Sequence, residues 1–578
     1  MKEFLRSTIT DILSELGIEP VDFSIEHPHE LAHGDYACNV AMVAAQKAGT
    51  NPRELASIIL EKLEQDSRLR GNDSGGNGND SGHVLIEKIE IAGPGFINIT
   101  LSPQFFNQSI KTIFKDKDDY GTSNLLSGKR VLVEHSSPNL FKPFHIGHVM
   151  NNAIGESVAR LAESAGAETT IISYPSDVSL GIGKAVWACM ETGVEKLDTY
   201  ETLQEKLEFL GTCYVEGTKA FDESDEVKTR VREITKHIFD GTAGPELDAY
   251  TMGKEINLKY FETMTKRLGS TFADFIYESE AGKVGEKIVR ENTPKIFTES
   301  DGAIIYEGER DGLHTRVFIN AEGYPTYEAK DIGLLSIKFD RFNPDISALV
   351  TDYEQQEYYK VVLSAAGKIN PNWKDKSVHL THGRMSFKGQ KMSSRLGGVP
   401  TAAELLGVLH DEVTERNAEA TDELKDMIGI AALKFTILKS QAGKNINFDP
   451  ETSLSFEGDS GPYLQYTHAR CNALLEKARQ KNLAPDIEMP DGWVITEVER
   501  LLYRMPEIIE TGAKNWEPHH VANYLIELAR AFNSFYGNTK IIDEDDVMAP
   551  YRLALVSAVG QVIKNGLYVL GIEVPERM

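Results

Sequence analysis

The chain contains 578 residues, a length that exceeds what one hydrophobic core supports and predicts three or four domains. Its 41% hydrophobic residues, without an apolar run of about 18 residues, argue against a membrane-spanning protein. A net charge of −27, from 88 acidic and 61 basic residues, argues against binding nucleic acid through overall charge but allows a local basic groove.

The N-terminal sequence predicts an α+β domain over residues 1–115. It begins with MKEFLRSTITDILSELGI, whose charged and apolar residues fall on opposite helical faces, as in an amphipathic helix and not a signal peptide. Residues 71–82 contain only Gly, Asn, Asp and Ser, which predicts a disordered insert because they cannot bury apolar surface. Four scattered cysteines, without a Cys-x-x-Cys pair, predict neither zinc nor disulfides and favour a cytoplasmic location.

From Val131 onward, strand patterns alternate with helical ones. The runs VLVEH and ETTIISYPSD are typical of buried strands, a long charge-rich helical stretch follows, and strand signals return at GAIIYEG, RVFIN and SALVTDY. This order predicts a multidomain α/β protein whose Rossmann-like parallel-sheet domain, 116–405, carries a helical insertion at about 184–290. Residues 406–578 are almost entirely helical in pattern and predict an α-helical bundle.

The stretch PNLFKPFHIGH, residues 138–148, lies where a strand gives way to a helix. His145 and His148 are three apart, so both rings lie on one face of a helical turn beside free backbone N–H groups, a site suited to phosphate. Gly147 removes a side chain and lets a ligand approach the backbone. Such a pair could stabilise a pentacovalent phosphate. An isolated His-x-x-His could also be a helix cap, or a zinc ligand pair, although no third ligand of suitable spacing is evident.

A second loop, KGQKMSS at residues 388–394, offers lysines and hydroxyls that can close over a triphosphate. The two motifs in this order resemble the ATP signature of class I aminoacyl-tRNA synthetases. The resemblance implies binding of ATP with Mg²⁺. It implies a catalytic set of His145, His148, Lys391 and Ser393 and an ATP-binding set of Phe144, Gly147, His148, Met392 and Ser394. Because Ser394 replaces the family's second loop lysine, we expect Lys142 to supply part of the missing charge; otherwise Lys142 is a solvated loop lysine.

Several longer stretches resemble the arginyl-tRNA synthetase family in particular. They include HGDYACNVAM, GPGFIN, VEHSSPNLFKPFHIGH, GYPTYEAKDIG and SFEGDSGPYLQYTHAR. The planar guanidinium of arginine pairs best with carboxylates. Tyr327 and Asp331 share one face if their segment is helical, and Asp331 could alternatively be a helix N-cap. The resemblance implies an arginine-binding set of Glu134, Ser137, Asn139, Glu278, Tyr327, Asp331 and Gln355.

The same resemblance assigns residues to the tRNA. Tyr463, Tyr466 and Arg470 lie at helical offsets of 0, 3 and 7 and form one face, which could stack on bases or belong to the core. By resemblance this face binds the anticodon loop. The full predicted tRNA-binding set is Phe96, Asn98, Tyr463, Tyr466, Arg470, Tyr536 and Met578, in which Phe96 is equally compatible with a core position.

The resemblance therefore implies an arginine–tRNA ligase that forms arginyl-adenylate and transfers arginine to tRNA(Arg), with activation dependent on tRNA. We expect a monomer without zinc. The alternatives are a class I synthetase for glutamate or cysteine, a small-molecule ligase of the same fold, and a non-catalytic tRNA-binding paralogue.

Overall fold

A computed structural model of the chain describes residues 1–28, 30–66, 69, 85–142, 144–388 and 400–578. The predicted disordered insert at 71–82 lies outside these residues. In the described part of the chain, no helix combines the length and the apolar character needed to cross a lipid bilayer.

The N-terminal part is an antiparallel sheet covered by helices. Its elements are α1 (Lys2–Glu15), β1 (Ile25–Glu26), β2 (Tyr36–Cys38), α2 (Val40–Ala48), α3 (Pro52–Gln65), β3 (Ile86–Ala92) and β4 (Phe96–Leu101). The strand order is β1-β2-β4-β3. Leu5, Ile9 and Ile12 are buried on one face of α1, which confirms the predicted amphipathic helix.

Helix α4 (Pro103–Asp116) connects two hydrophobic cores. Ser102 caps its start by accepting a hydrogen bond from the Phe105 N–H, and a proline occupies the first helical position. Phe106 packs into the N-terminal core, whereas Ile110 and Ile113 pack into the core of the C-terminal helices.

The central part begins with a strand–helix–strand unit followed by four helices. These elements are β5 (Arg130–Glu134), α5 (Ile146–Ser164), β6 (Glu168–Ser173), α6 (Leu180–Thr192), α7 (Leu203–Glu223), α8 (Asp225–Asp240) and α9 (Pro245–Arg267). Strand β5 is buried on both faces, as its continuous apolar run requires of a central parallel strand. Helices α6 to α9 form the helical insertion.

The second half of this part returns to the sheet. Its elements are β7 (Asp274–Phe275), α10 (Glu278–Glu291), β8 (Thr298–Ser300), β9 (Ala303–Tyr306), β10 (Arg316–Ile319), α11 (Tyr327–Phe342), β11 (Ile346–Asp352), α12 (Gln356–Ile369), α13 (Pro371–Asp375), β12 (Ser377–His382) and β13 (Met385–Phe387). Five strands form a parallel sheet in the order β12-β11-β5-β6-β7, and β8 to β10 form a separate antiparallel sheet. Because β7 already belongs to the main sheet, the helical insertion ends at Arg267.

The C-terminal part is a helical bundle. Its elements are α14 (Ala402–Arg416), α15 (Asp422–Leu438), β14 (Ile446–Phe448), α16 (Pro450–Ser453), α17 (Gly461–Gln480), α18 (Glu497–Leu502), α19 (Met505–Asn515), α20 (His519–Asn538) and α21 (Ala549–Val569). Helices α17 to α21 share one core with α4. The predicted architecture, a parallel-sheet domain followed by a helical bundle, is confirmed.

Candidate active site

The carboxyl ends of β5, β11 and β12 open into a cavity of about 760 Å³. It lies where a parallel sheet binds ligands, at the point where connections leave β5 and β11 in opposite directions. The cavity brings together ten of the predicted site residues: Glu134, Ser137, Asn139, His145, Gly147, His148, Glu278, Tyr327, Asp331 and Gln355.

Two histidines that line the cavity, His145 and His148, cap helix α5 with their own side chains, and we call this part of the lining the histidine end. His145 Nδ1 accepts a hydrogen bond from the Gly147 N–H at 3.1 Å, and His148 Nδ1 accepts one from the His145 N–H at 3.1 Å. The rings stack with centroids 3.9 Å apart. Part of the backbone N–H set that the sequence suggested for phosphate is therefore occupied by imidazole. The two histidines that cap the helix are therefore the same residues that the sequence suggested for binding phosphate.

This geometry fixes the chemical form of both histidines. Burial lowers the pKa of His148 to about 3 and lowers the pKa of His145, and nearby Lys142 acts in the same direction on both. Both rings are therefore neutral near pH 7. Because each Nδ1 accepts a hydrogen bond, the ring proton is on Nε2. The pair presents two neutral N–H donors.

Gly147 and Phe144 hold this arrangement. A Cβ atom at position 147 would lie 3.0 Å from the His145 ring, so a larger residue would displace that imidazole. Phe144 is buried and stacks on His148 with ring centroids 4.9 Å apart. Phe144 therefore supports the histidine from behind and does not line the cavity.

Three carboxyl groups from separate segments form a second part of the lining, which we call the carboxylate end; Glu134 and Glu278 are buried and Asp331 is partly buried. Glu134 ends β5, Glu278 begins α10 and Asp331 lies in the second turn of α11. Glu134 forms an ion pair with Lys338, and Glu278 pairs with Lys330 at 2.7 Å. Burial raises the pKa of Glu278, with the Lys330 ammonium opposing that effect.

Asp331 differs from the other two carboxylates because its hydrogen-bond partner is uncharged. Tyr358 donates its hydroxyl hydrogen to Asp331 at 2.6 Å. Burial, reinforced by Glu134 and Glu278, raises the Asp331 pKa to about 7. The helix over Tyr327–Phe342 confirms that Tyr327 and Asp331 share a face. The alternative of an Asp331 N-cap is wrong, because Thr326 occupies that position.

The remaining predicted arginine-binding residues surround these groups. Ser137 accepts a hydrogen bond from the Tyr174 backbone N–H at 3.2 Å, and Asn139 forms a β-bridge with Ser176. Tyr327 is 57% exposed at the cavity mouth. Gln355 follows β11 in a short 3₁₀ turn.

Lys142 lies beside this cavity and does not line it. Its ammonium lies 5.2 Å from the ring centroid of Tyr214, in a neighbouring cavity of about 890 Å³ that His145 also lines. The predicted loop residues Lys391, Met392, Ser393 and Ser394 lie outside the described residues.

Sequence reasoning missed several residues of the cavity. The Tyr174 hydroxyl is buried in its wall and has no hydrogen-bond partner among the described residues. Asn151 accepts from the Ser136 N–H at 2.5 Å and donates to the Val350 carbonyl at 2.6 Å, which joins the loop after β5 to β11. Ser136 has a positive φ of 55°, so this contact supports a strained turn.

Asp177 is a further residue that the sequence did not single out. It is fully buried and accepts hydrogen bonds from Tyr250, Lys254 and both the N–H and hydroxyl of Ser279. These contacts fix the start of α10, where Glu278 lies, against the insertion helix α9. The segment SYPSD at the end of β6 could have pointed to Asp177, because polar residues there follow a parallel strand.

The predicted tRNA-binding residues fall into two groups. Arg470 lies between Tyr466 and Tyr536, 4.7 and 5.0 Å from their ring centroids, and these three residues line a cavity of about 930 Å³ with Met578. Tyr463 is partly buried and accepts a hydrogen bond from Asn533, so it faces the bundle core.

The second group lies on β4 of the N-terminal sheet. Phe96 is exposed, which argues against the core alternative for that residue. Asn98 is buried, so of this pair only Phe96 presents its side chain to solvent.

Comparison with protein families gives three matches along the chain. Residues 3–101 match the arginyl-tRNA synthetase N-terminal domain, residues 109–449 the catalytic domain of class I tRNA synthetases (R), and residues 464–578 the DALR anticodon binding domain. The catalytic match alone covers more than half of the chain.

Individual proteins agree with these matches over their full length. Arginine–tRNA ligase of Clostridium perfringens is 29% identical over 580 residues, covering 98% of this chain and 97% of its own. The enzyme of Limosilactobacillus reuteri is 29% identical over 589 residues, covering both chains completely. The structure of Thermus thermophilus arginyl-tRNA synthetase matches the fold with a TM-score of 0.79, at 22% identity and complete coverage of both chains.

Proposed function

The chain belongs to the arginyl-tRNA synthetase family, and we propose that the cavity at the carboxyl edge of its parallel sheet activates L-arginine with ATP. An arginine carboxylate oxygen attacks the α-phosphorus, pyrophosphate leaves, and arginyl-adenylate forms. The terminal ribose of tRNA(Arg) then takes the arginyl group and AMP is released. The observation that carries the proposal is one cavity lined both by two neutral imidazole N–H donors and by three carboxyl groups.

The histidines act on the phosphate end. His145 and His148 direct Nε2–H groups toward the negative charge that develops on the pentacovalent phosphate. Being neutral and already hydrogen-bonded through Nδ1, they need no proton transfer and little reorganisation. We propose that Lys391, Ser393 and Lys142 hold the leaving pyrophosphate and that Met392 and Ser394 contact ATP.

The carboxylates act on the guanidinium end. Asp331 offers its ionised carboxylate to the guanidinium, Glu278 adds a second carboxylate, and Tyr327 closes the cavity mouth. The unpartnered hydroxyl of Tyr174 accepts from a guanidinium N–H, since a buried hydroxyl without a partner costs about 1–3 kcal/mol unless a ligand satisfies it. Glu134 orders the loop, and Ser137, Asn139 and Gln355 hold the α-amino and carboxylate groups.

The helical bundle supplies the RNA site in this proposal. Tyr466, Arg470 and Tyr536 form an aromatic–guanidinium surface on which anticodon bases stack, with Tyr463 and Met578 beside it. Phe96 and Asn98 of the N-terminal domain contact the corner of the tRNA. We further propose that activation depends on tRNA.

The remaining assignments are also proposals. Mg²⁺ would enter with ATP, because this ion favours oxygen ligands such as substrate phosphates and water. The chain acts as a cytoplasmic monomer with domains 1–115, 116–405 and 406–578.

Arginine-dependent ATP–pyrophosphate exchange tests the proposal. We expect exchange with arginine and tRNA(Arg) together, and none with lysine or glutamate. Exchange without tRNA would contradict the proposed dependence on RNA but would still support the proposed activity and the substrate. No exchange by folded protein under any condition would favour a non-catalytic tRNA-binding protein.

A further inference from the structure

A cluster of metal-ligating side chains lies far along the chain from the active-site motifs, at the start of α20. Glu517, His519 and His520 each place one ligand atom so that all three atoms lie within 4.8 Å of one another. Among the described residues, this is the one group of three such side chains with that spacing. His520 Nε2 lies 3.1 Å from Glu517 Oε2. A tetrahedral zinc ion with bonds of about 2 Å holds its ligands roughly 3.3 Å apart.

His519 gives a second observation that points to a ligand. Its Nδ1 atom is buried and has no hydrogen-bond partner among the described residues. Its ring lies 4.2 Å from that of His520 with an interplanar angle of 31°. A buried ring nitrogen without a partner is unfavourable unless it binds a proton donor or a metal ion.

Glu517 is already oriented by a neighbour outside the cluster. Gln441 Nε2 donates to Glu517 Oε1 at 3.2 Å, while Oε2 faces His520. The Glu517 N–H donates to the Gly512 carbonyl at 2.9 Å, which fixes the backbone before the helix. One carboxylate oxygen is thus held by the segment between α15 and β14, and the other shares a proton with His520 Nε2, which a metal ion would replace. Support of this kind orients metal ligands.

We propose that Glu517, His519 and His520 bind a divalent transition-metal ion of the zinc class, with water in the fourth position. Two imidazoles and one carboxylate suit zinc, whereas Mg²⁺ and Ca²⁺ prefer oxygen ligands throughout. This proposal departs from the expectation of no zinc, which rested on the scattered cysteines and so did not consider sites built on histidine and carboxylate. Lys444 lies near His519 and opposes a cation, so micromolar affinity is expected and not the tight binding of a structural zinc site.

The position of the site connects the helical bundle with the catalytic sheet. His519 and Trp516 line a small cavity together with Thr381, His382 and Gly383 at the end of β12. His382 also lines the active-site cavity. A bound ion would hold the start of α20 and, through Glu517 and Gln441, the segment that leads into β14. Zinc should therefore raise the thermal midpoint of the whole chain by mass action.

Isothermal titration of the full chain with ZnCl₂ tests the site. We expect one zinc ion per chain, with affinity reduced at least tenfold in His519→Ala and in His520→Ala. His410→Ala is the matched control, because His410 is also a helical, partly exposed histidine paired with an acid, Asp422. A control is needed because 15 histidines could bind zinc adventitiously. Mg²⁺ and Ca²⁺ should give no heat at the same concentrations.

Glu517→Gln keeps the size and an amide oxygen but removes the anionic ligand, and should weaken binding without changing far-ultraviolet dichroism. Loss of zinc binding in a variant that keeps its secondary structure and its unliganded thermal midpoint supports the site. Absence of a stoichiometric site in the natural chain, or equal binding by His520→Ala and the natural chain, overturns the proposal.

Discussion

The two ends of the active-site cavity are built in opposite ways. The histidine end comes from four consecutive residues, 145–148, whose imidazoles satisfy the backbone of the same helix. The carboxylate end takes Glu134, Glu278 and Asp331 from three segments that together span nearly 200 residues of the chain. Lys330 and Lys338 neutralise two of these acids. The histidine end is neutral because burial disfavours protonated imidazoles. The carboxylate end is acidic although its groups are largely removed from solvent.

This difference indicates how each end recognises its ligand. In the proposed function, the neutral histidines offer oriented dipoles to a charge that exists only transiently, so we expect them to favour the transition state over bound ATP. At the carboxylate end, desolvation raises the Asp331 pKa, Tyr358 donates a hydrogen bond to its carboxyl group, and no cation pairs with it among the described residues. In the proposed function a guanidinium supplies that cation, so we expect this end to govern ground-state binding and selectivity.

The largest effect is expected at the histidine end. His148→Ala removes one Nε2–H donor and should lower the rate of adenylate formation about 100- to 1,000-fold, with the arginine KM little changed. Single-turnover adenylate formation measures this. His410→Ala should retain the natural rate. A loss below threefold in folded His148→Ala would contradict the assigned role.

At the carboxylate end, Asp331→Asn should act on binding. Removing this charge leaves the guanidinium without its strongest partner and should raise the arginine KM about 100-fold, consistent with the 2–5 kcal/mol typical of buried charge pairs. The KM for ATP should not change. Steady-state exchange kinetics at varied concentrations of arginine and ATP measure the two KM values separately. An equal rise in both KM values would contradict the division between the ends.

The pH dependence of arginine binding sharpens the same comparison. The Asp331 pKa of about 7 means that below pH 7 the carboxyl must lose its proton before it pairs with the guanidinium. Arginine affinity should therefore rise up to tenfold per pH unit between pH 6 and 7, and level off near pH 8. Titration calorimetry in buffers of different ionisation enthalpy measures the released proton. Asp331→Asn should abolish this release.

Tyr174→Phe tests whether the unpartnered hydroxyl binds arginine or only packs in the cavity wall. Loss of a hydrogen bond to a charged ligand should raise the arginine KM roughly tenfold. The unliganded protein should be equally or slightly more stable, since a buried hydroxyl without a partner is removed. Exchange kinetics and thermal unfolding together distinguish the roles. A lower thermal midpoint with unchanged KM would indicate a structural hydroxyl.

The smallest effect is expected at Lys142, which contacts the histidine end from the neighbouring cavity. Lys142→Ala should slow the chemical step about threefold to tenfold and leave ATP binding nearly unchanged, since it removes one exposed charge near the leaving phosphates. Rapid-quench measurement of adenylate formation decides this. Unchanged turnover would mean that Lys142 is only a solvated lysine.

Much of the architecture followed from local patterns. The buried run of β5, the amphipathic α1 and the helical periodicity after residue 405 depend on neighbours in sequence, and the structure confirms each. The two-residue strand β7 lies inside the stretch that the sequence assigned to the helical insertion, because so short a strand leaves no pattern in the sequence. Its pairing with β6 is a tertiary contact.

By itself, the sequence determined the family and the residues that we propose carry the chemistry, because the histidine motif and the family-like segments are contiguous. The tertiary structure decided their chemical state. The Nε2–H tautomers of His145 and His148 and the Asp331 pKa depend on burial and on partners that no spacing encodes. Tyr174 was missed for the same reason: a hydroxyl becomes informative only when it is buried without a partner, and burial is a property of the folded chain.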